Sequence, residues 1–484
     1  MNTALFTDFY SLTMAQGYWK RKLASGKRPD ERAVFEMFFR SQPFNGGYTI
    51  FAGLGTLLEI LTNFSFSASD ITYLKSLNVF DETFLDYLKT FRFNGTLWAM
   101  DEGTVVFPHE PLIRVEGSLV ECQLIEGLLL NIINFQSLIA TKTCRVWLAS
   151  GKGKVMEFGL RRAQGPDGSL SASRAAYIGG ASGTSNTLAG KVFGIPVMGT
   201  MAHSWVMSFD SEEEAFENYA ALFPDRAIFL IDTYDTLKSG IKNAIKAGKK
   251  LAAQGKNFGV RLDSGDIQYL SAEVRRQLDE TGFPNAYITV SNDLDENIIE
   301  TLVKGNAPVD SWGVGTKLVT GGNAAALTGV YKLAARYDGE KSVAVMKFSD
   351  NPEKTTNPGI KQVWRIWDKN NEAVADVLGI DDQTDDLKTG QRYCLWHPSA
   401  DYRHFFHTID GSLEPLLKKR MEGGALTGEH PPLAAIQAFA AANLDRFDST
   451  YKRLLNPHVY KVSITEKLRS LKLELIQKHL GSRQ

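Results

Sequence analysis

Short apolar runs recur through the middle of the chain, at 154–158, 196–198, 227–231, 258–262, 286–290 and 311–314. Amphipathic stretches lie between them. Phe216, Tyr219, Ala220 and Phe223 share one helical face. So do Leu237, Ile241 and Ile245, then Leu270, Val274 and Leu278, then Ile298, Ile299, Leu302 and Val303. That i, i+3, i+4, i+7 spacing is the period of a half-buried helix. Short apolar strands alternating with helices predict βα units around a parallel sheet. Six such units in order favour a closed or nearly closed α/β barrel. An open doubly wound sheet is the alternative.

The flanking segments read differently. Residues 8–19 pattern as a helix, and 33–40 and 48–54 as strands or short buried segments. Residues 97–120 carry Pro108 and Pro111 among short β-like runs, which suits edge strands and turns. The apolar stretch 127–141 contains Asn131, Asn134 and Gln136 and falls short of the roughly 20 residues a membrane span needs. It predicts a buried helix and no membrane partner. After 341 the alternation breaks. Residues 343–348 read as one strand, 422–426 are glycine-rich, and 432–447 and 463–480 read as helices. The expected division is an N-terminal α+β domain over 1–125, a barrel over 126–340, and, over 341–484, a strand returning to the first domain plus a helical cover.

Composition narrows the function. The chain has 484 residues, with 54 basic and 55 acidic side chains and a net charge of −1. A general nucleic-acid binder would show a basic excess, so no nucleic-acid partner is expected. The three cysteines, Cys122, Cys144 and Cys394, have neither metal-site nor disulfide-framework spacing, and no basic residue precedes Lys20 as a signal peptide would require. A reducing, cytoplasmic setting fits best.

Catalytic groups of an α/β barrel lie just past the carboxyl ends of its strands. Each predicted strand here ends in a polar cluster. In order, these are Glu157 with Phe158, Gly159, Arg161 and Arg162; Gly199, Thr200, His203 and Ser204; Asp232 and Thr233; Arg261, Asp263, Ser264, Gly265 and Asp266; Ser291, Asn292 and Asp293; and Gly313, Gly315, Thr316 and Lys317 with Gly321 and Gly322. One cluster could be helix capping; six on one rim exceed that role. Arginine forks bind phosphate, glycine-rich turns offer N–H groups to anions, and carboxylates hold ribose hydroxyls or Mg²⁺. The rim therefore suits a phosphorylated sugar with a metal, though which residues would hold the metal stays open. No Walker loop, no strand-linked G-x-G-x-x-G and no HExxH is present. LIDTYDT at 230–236 superficially matches the acid pair of type I phosphoribosyltransferases but lacks the glycine-rich threonine loop that should follow, and reads as a decoy.

The segment EFGLRRAQGPDGSLSASRAAYIGGASGTSNTLAGKVFGIPVMGTMAHSWV at 157–206 resembles the heart of the nicotinate phosphoribosyltransferase family. GVRLDSGD at 259–266, WGVGTKLVTG at 312–321, TDFYSLTMAQGYW at 7–19, FRSQPFNGGYTIFAGL at 39–54 and MKFSDNPEKTTNPGIKQVWR at 346–365 share that resemblance. It implies a type II phosphoribosyltransferase: an irregular α/β barrel joined to an open-faced α+β sandwich, acting as a homodimer. It also implies that nicotinate and phosphoribosyl pyrophosphate give nicotinate mononucleotide and pyrophosphate with Mg²⁺. ATP hydrolysis would be coupled through a phosphohistidine, in synthesis of NAD from nicotinate.

The same resemblance assigns roles. His203 would accept the phosphoryl group from ATP. Arg161 and Arg261 would grip phosphate or pyrophosphate, and Asp263 would hold ribose hydroxyls or the metal-bound pyrophosphate. Gly315 and Thr316 would form the 5′-phosphate loop, with Gly313 permitting close backbone approach. Phe158 and Tyr10 would sandwich the pyridine ring, Tyr10 from a second subunit, and Thr200 and Ser204 would complete the substrate rim. Arg162, Asp232, Asn292 and Asp293 are second-tier candidates. Lys347, Lys354 and Lys361 could meet the nucleotide or form a solvated basic face. Each has a structural alternative: a hydrogen-bonded histidine, a buried Arg–Asp pair, an ordinary turn or a core aromatic. Nicotinamide-using relatives carry an aspartate where this chain has Ser185 and Asn186, and residues 179–191 hold no acid. That favours nicotinate, an anion, over nicotinamide. Quinolinate would call for more positive charge. Another phosphosugar barrel enzyme, or a non-catalytic sensor retaining the fold, are the readings from other classes.

Overall fold

The computed structural model describes residues 3–24, 31–351, 354–382, 387–400 and 402–481. They form two units, one of residues 139–325 and one combining 1–138 with 326–484. The parallel-sheet unit is thus shorter at both ends than 126–340. The strand Gly329–Asp338 lies outside it because it pairs antiparallel with Arg32–Phe39.

In residues 139–325, six strands make one parallel sheet: β1 (Lys154–Glu157), β2 (Gly183–Thr184), β3 (Ile228–Leu230), β4 (Gly259–Leu262), β5 (Tyr287–Asn292) and β6 (Ser311–Val314). Their order is β2-β1-β6-β5-β4-β3. The last strand pairs back onto the first, so the strands follow chain order around a ring. Val197 adds one parallel bridge to Thr184. Among the described residues no pairing joins that edge to β3, so the barrel is irregular and open there.

The run 196–198 therefore supplies only that bridge; the strand in its place is Gly183–Thr184. A side chain at Gly183 would come within 2.6 Å of the Pro196 carbonyl oxygen, so the approach needs glycine and leaves no apolar run to read. The helices Gly165–Ile178 and Thr187–Phe193 also escape the pattern. The first buries small residues such as Ala172, Ser173, Ala175 and Ala176, not a stripe of large ones. The helices Ile241–Ala252, Ile267–Glu280 and Glu296–Lys304 follow β3, β4 and β5 as expected, and Glu212–Leu222 forms where predicted without a strand before it. Their faces are narrower than predicted, because Ile299 and Leu302 are buried while Ile298 and Val303 are exposed.

The other unit has a seven-stranded sheet, in the order Lys341–Ala344, Gly329–Asp338, Arg32–Phe39, Ile113–Ser118, Thr96–Ala99, Lys418–Glu422 and Ala425–Leu426. Ile113–Ser118 is a central strand, not an edge. Pro108 and Pro111 fall in the connection before it, where no ladder N–H is needed. Residues 343–348 give strand only to Ala344, as the second arm of a hairpin. Nor is 341–484 mainly a helical cover. It supplies a second, six-stranded sheet, ordered His404–Thr408, Arg392–Trp396, Val462–Ile464, Ala373–Ile380, Lys361–Trp367 and Ser412–Pro415, besides the helices Leu433–Asp445 and Glu466–Gly481. Lys361–Trp367 is buried along its whole length, so its alternating charged and apolar residues hide a core strand.

Four helices around Phe64, Phe66, Phe80, Phe84 and Phe91 form an aromatic core in this unit. The predicted buried helix 127–141 lies inside Glu126–Ala149. Among the described residues, no helix is long and apolar enough to cross a membrane.

Candidate active site

The carboxyl ends of β4 and β5 and the turn before the short helix His203–Met207 converge on one side chain. Arg261, on β4, donates from Nε to Ser291 Oγ of β5 at 3.0 Å. Its Nη1 donates to the Met201 carbonyl at 3.1 Å and to Thr200 Oγ1. Its Nη2 reaches Asp263 Oδ1 at 3.4 Å. Ser291, itself buried, donates its hydroxyl to the same Asp263 oxygen. One guanidinium thus ties the ends of β4 and β5 to the turn before His203 and still has a wet face, with its side chain 15% exposed.

His203 stands beside this cluster. Its Nδ1 shares a hydrogen bond with Thr233 Oγ1 at 3.1 Å, and its Nε2 lies 3.8 Å from Asp263 Oδ2. The first contact can fix the tautomer. The second is too long for a hydrogen bond, so Nε2 stays uncommitted, and the imidazole is 39% exposed. Asp232 braces the far side. Its Oδ2 accepts from the Asp263 backbone N–H at 3.1 Å and from Ser264 Oγ at 2.6 Å, while its Oδ1 is buried without a protein partner among the described residues. The segment set aside as a decoy therefore supplies two groups of this site, Asp232 and Thr233.

A second cluster flanks it at β1, β2 and β6. The Phe158 N–H donates to the Val314 carbonyl at 2.8 Å, and the ring lies across Gly313. A Cβ on Gly313 would fall 2.6 Å from that ring and 3.3 Å from the Ser291 Cβ, so glycine is needed for Phe158 to reach the Arg261 cluster. Behind Phe158, buried Glu157 accepts from Ser173 Oγ at 2.9 Å, from Thr184 Oγ1 and from the Gly159 N–H. No feature of the sequence marked Glu157 as more than a rim residue. Its position at a strand end followed by glycine was the available signal.

The other expected residues fall less centrally. Asn186 is buried, accepts from the Ala189 N–H as a helix cap and donates to Ser173 Oγ, so its amide is engaged in holding the fold. Ser185 is half-buried, and its backbone N–H donates to the Glu157 carbonyl at 2.9 Å. Arg161 and Arg162 are exposed in a single turn, Leu160–Arg162. Ser204 is exposed. Gly315 and Thr316 open the short helix Thr316–Val319 directly after β6. Asn292 holds a left-handed backbone, φ 128°, and Asp293 follows it. Tyr10 belongs to the other unit, on the helix Phe9–Ala24, and is half exposed. Lys347 and Lys354 are exposed. Lys361 is neither a ligand candidate nor part of a solvated face: it is buried, pairs with Glu36 at 2.8 Å and donates to two carbonyls.

An irregular α/β barrel whose strand ends carry arginine, carboxylate, hydroxyl and histidine around one opening defines an enzyme built for an anionic sugar substrate. Family models for nicotinate phosphoribosyltransferase match the chain at three places: the N-terminal domain at residues 5–134, the family model at 153–388 and the C-terminal domain at 360–472. The chain belongs to the nicotinate phosphoribosyltransferase family. It is an enzyme of NAD biosynthesis that transfers a phosphoribosyl group to nicotinate. It is 43% identical to the Bacillus subtilis nicotinate phosphoribosyltransferase over 98% of this chain and 95% of that one. Identity to the Bos taurus enzyme is 34%, covering 96% and 95%. The crystal structure of human nicotinic acid phosphoribosyltransferase superposes with a TM-score of 0.84 at 30% identity, covering 97% of this chain and 99% of that one.

Proposed function

We propose that the transfer is coupled to ATP hydrolysis through His203, and that Arg261, Asp263 and their partners hold phosphoribosyl pyrophosphate at the open rim. The observation that carries this reading is the state of His203. Nδ1 is engaged by Thr233, Nε2 makes no hydrogen bond among the described residues, and the imidazole is 39% exposed. With the proton on Nδ1, Nε2 carries the lone pair, and a neutral imidazole is a competent nucleophile near pH 7. Nε2 attacks the γ-phosphorus of ATP, the bond to the ADP oxygen breaks, and water later releases phosphate from the imidazole.

In the transfer itself the pyridine nitrogen of nicotinate attacks C1 of the ribose as the bond to pyrophosphate breaks. No general base is needed, because that nitrogen carries no proton. Arg261 and the exposed Arg161 stabilise the charge gathering on the leaving group, an electrostatic role that usually dominates such catalysis. Asp263 accepts from the ribose hydroxyls. Gly313, Gly315 and Thr316 receive the 5′-phosphate, and Thr200 and Ser204 line the approach.

Asp232 and Asp263 are the oxygens available to Mg²⁺, and the unpartnered buried Oδ1 of Asp232 suits a cation. No set of three or more His, Cys, Asp or Glu side chains that could hold a metal occurs among the described residues. This agrees with an ion held by one or two carboxylates and substrate phosphates. Bound Mg²⁺ supplies charge neutralisation on the pyrophosphate.

Phe158 stacks on the nicotinate ring, and the Ser185 hydroxyl with nearby backbone N–H groups receives its carboxylate. Asn186 acts by capping. Glu157 is held behind Phe158 by three neutral donors and positions the strand end. A second copy of the chain contributes Tyr10 in a homodimer, and the enzyme works in the cytoplasm. Parallel assays with phosphoribosyl pyrophosphate, Mg²⁺ and nicotinate, nicotinamide or quinolinate, each with and without ATP, test the reading. Nicotinate alone should give mononucleotide, faster with ATP while ADP appears. Equal rates with and without ATP would refute the coupling.

A further inference from the structure

The unit combining 1–138 with 326–484 contains a cavity of about 770 Å³, in the size range of small-molecule sites. All its lining residues belong to that unit, and none is a rim residue of the parallel sheet. Four permanent cations line it. Arg40 follows the strand Arg32–Phe39, Arg403 follows the strand Arg392–Trp396, Arg453 lies beyond the helix Leu433–Asp445, and Lys461 precedes the strand Val462–Ile464. Four of the chain's eight histidines, His109, His397, His404 and His458, line the same space. Among the described residues no carboxylate lines it. In a chain of net charge −1 this segregation of positive groups needs a cause.

Burial and the neighbouring positive groups hold two of the histidines neutral. His109 is held down to about 4 by burial first, then by His397, Arg40 and Lys472. Burial, then Arg403 and Lys472, likewise lower His397. Lys472 is itself buried behind this wall, with Nζ donating to the Pro398 carbonyl at 2.8 Å. His109 also adopts a left-handed backbone, φ 73°, unfavourable for a side chain with a Cβ. The clustered arginine and lysine charge, with no carboxylate among the described lining residues, is a cost that a bound anion would offset. The remaining walls are flat and apolar: Pro108, Pro398, Pro457 and the Phe405 ring, over which Lys461 Nζ sits at 4.9 Å. Faces of this kind take a planar base, while guanidinium forks take phosphate.

We infer that this cavity binds a nucleotide, its phosphate on Arg403 and Arg453 beside the histidines and its base against Phe405 and the prolines.

The test is calorimetric titration of AMP into the full-length enzyme and two variants. One is Arg403→Glu/Arg453→Glu, at two exposed positions outside the proposed catalytic rim. The other is Arg261→Ala, which removes the rim's anion grip. AMP binding that survives Arg261→Ala and weakens at least tenfold in the double variant supports the site, provided the double variant keeps its circular dichroism spectrum. A second double variant, Arg403→Gln/Arg453→Gln, should show an intermediate loss and guards against misfolding of the first. AMP binding unaffected in both double variants, or abolished by Arg261→Ala, overturns the inference. So does wild-type enzyme that binds no AMP.

Discussion

The Arg261–Asp263 pair of the barrel rim and the Arg365–Asp376 pair of the other unit share their chemistry and differ in nearly everything around them. Arg365 and Asp376 are fully buried. Two parallel bonds join them, at 2.8 and 2.6 Å. Arg365 donates a third to the Val105 carbonyl, Tyr460 donates to Asp376, and the Phe447 ring covers the guanidinium at 5.0 Å. Arg261 meets Asp263 through one long contact of 3.4 Å, and a third of the aspartate is exposed. A pair doubly bonded and sealed in this way builds structure. A pair held open by hydroxyls from neighbouring strands keeps donors and acceptors for something that arrives later.

That contrast sets the largest expected effect. Arg365→Ala leaves a buried carboxylate without its partner and should cost about 3–5 kcal/mol of stability in urea unfolding. Arg261→Ala should leave the unfolding midpoint nearly unchanged while lowering kcat/KM for phosphoribosyl pyrophosphate about 100-fold or more. Equal destabilisation by the two would erase the distinction. Next in size, His203→Ala should abolish stimulation by ATP yet leave slow ATP-independent transfer, followed as mononucleotide formed. Smaller again is Ser291→Ala. It removes one contact from each of Arg261 and Asp263 and should lower kcat/KM about tenfold, equivalent to one hydrogen bond to a charged group. A value unchanged from wild type would mean that Ser291 merely fills space.

The smallest effect concerns pH and belongs to the buried side of the comparison. Burial depresses His109 to about 4 from an ordinary 6.5. Between those values the unfolded chain binds more protons than the folded one. The stability His109 confers as a neutral group is therefore complete above pH 6.5 and is lost as pH falls towards 4. His109→Gln should flatten that part of the stability profile. An unchanged slope from pH 6.5 to 4 would show that other groups carry it.

The barrel could be read from its sequence because each unit repeats one apolar strand and one amphipathic helix at short range. The exception, Gly183–Thr184, is a two-residue strand made possible by close backbone approach, and nothing apolar marks it. The 361–464 sheet escaped because its strands are scattered along the sequence and carry buried charge, as in Arg365 and Asp376. At the rim, strand-end position brought His203, Arg261, Asp263, Phe158 and Gly313 to notice. It could not rank Ser291, Thr233 or Asp232, because their value lies in which neighbours they meet across strands. It overrated the Asn186 side chain, whose work is capping, and Lys361, whose partner Glu36 lies 325 positions away in the chain.

The most direct test of the account is phosphoryl transfer from γ-labelled ATP to the protein itself, without nicotinate, in wild type and His203→Ala. The account predicts near-stoichiometric, acid-labile and alkali-stable label on the wild-type chain and none on the variant. Equal labelling of both, or an unlabelled wild-type chain whose transfer is still accelerated by ATP, would contradict it.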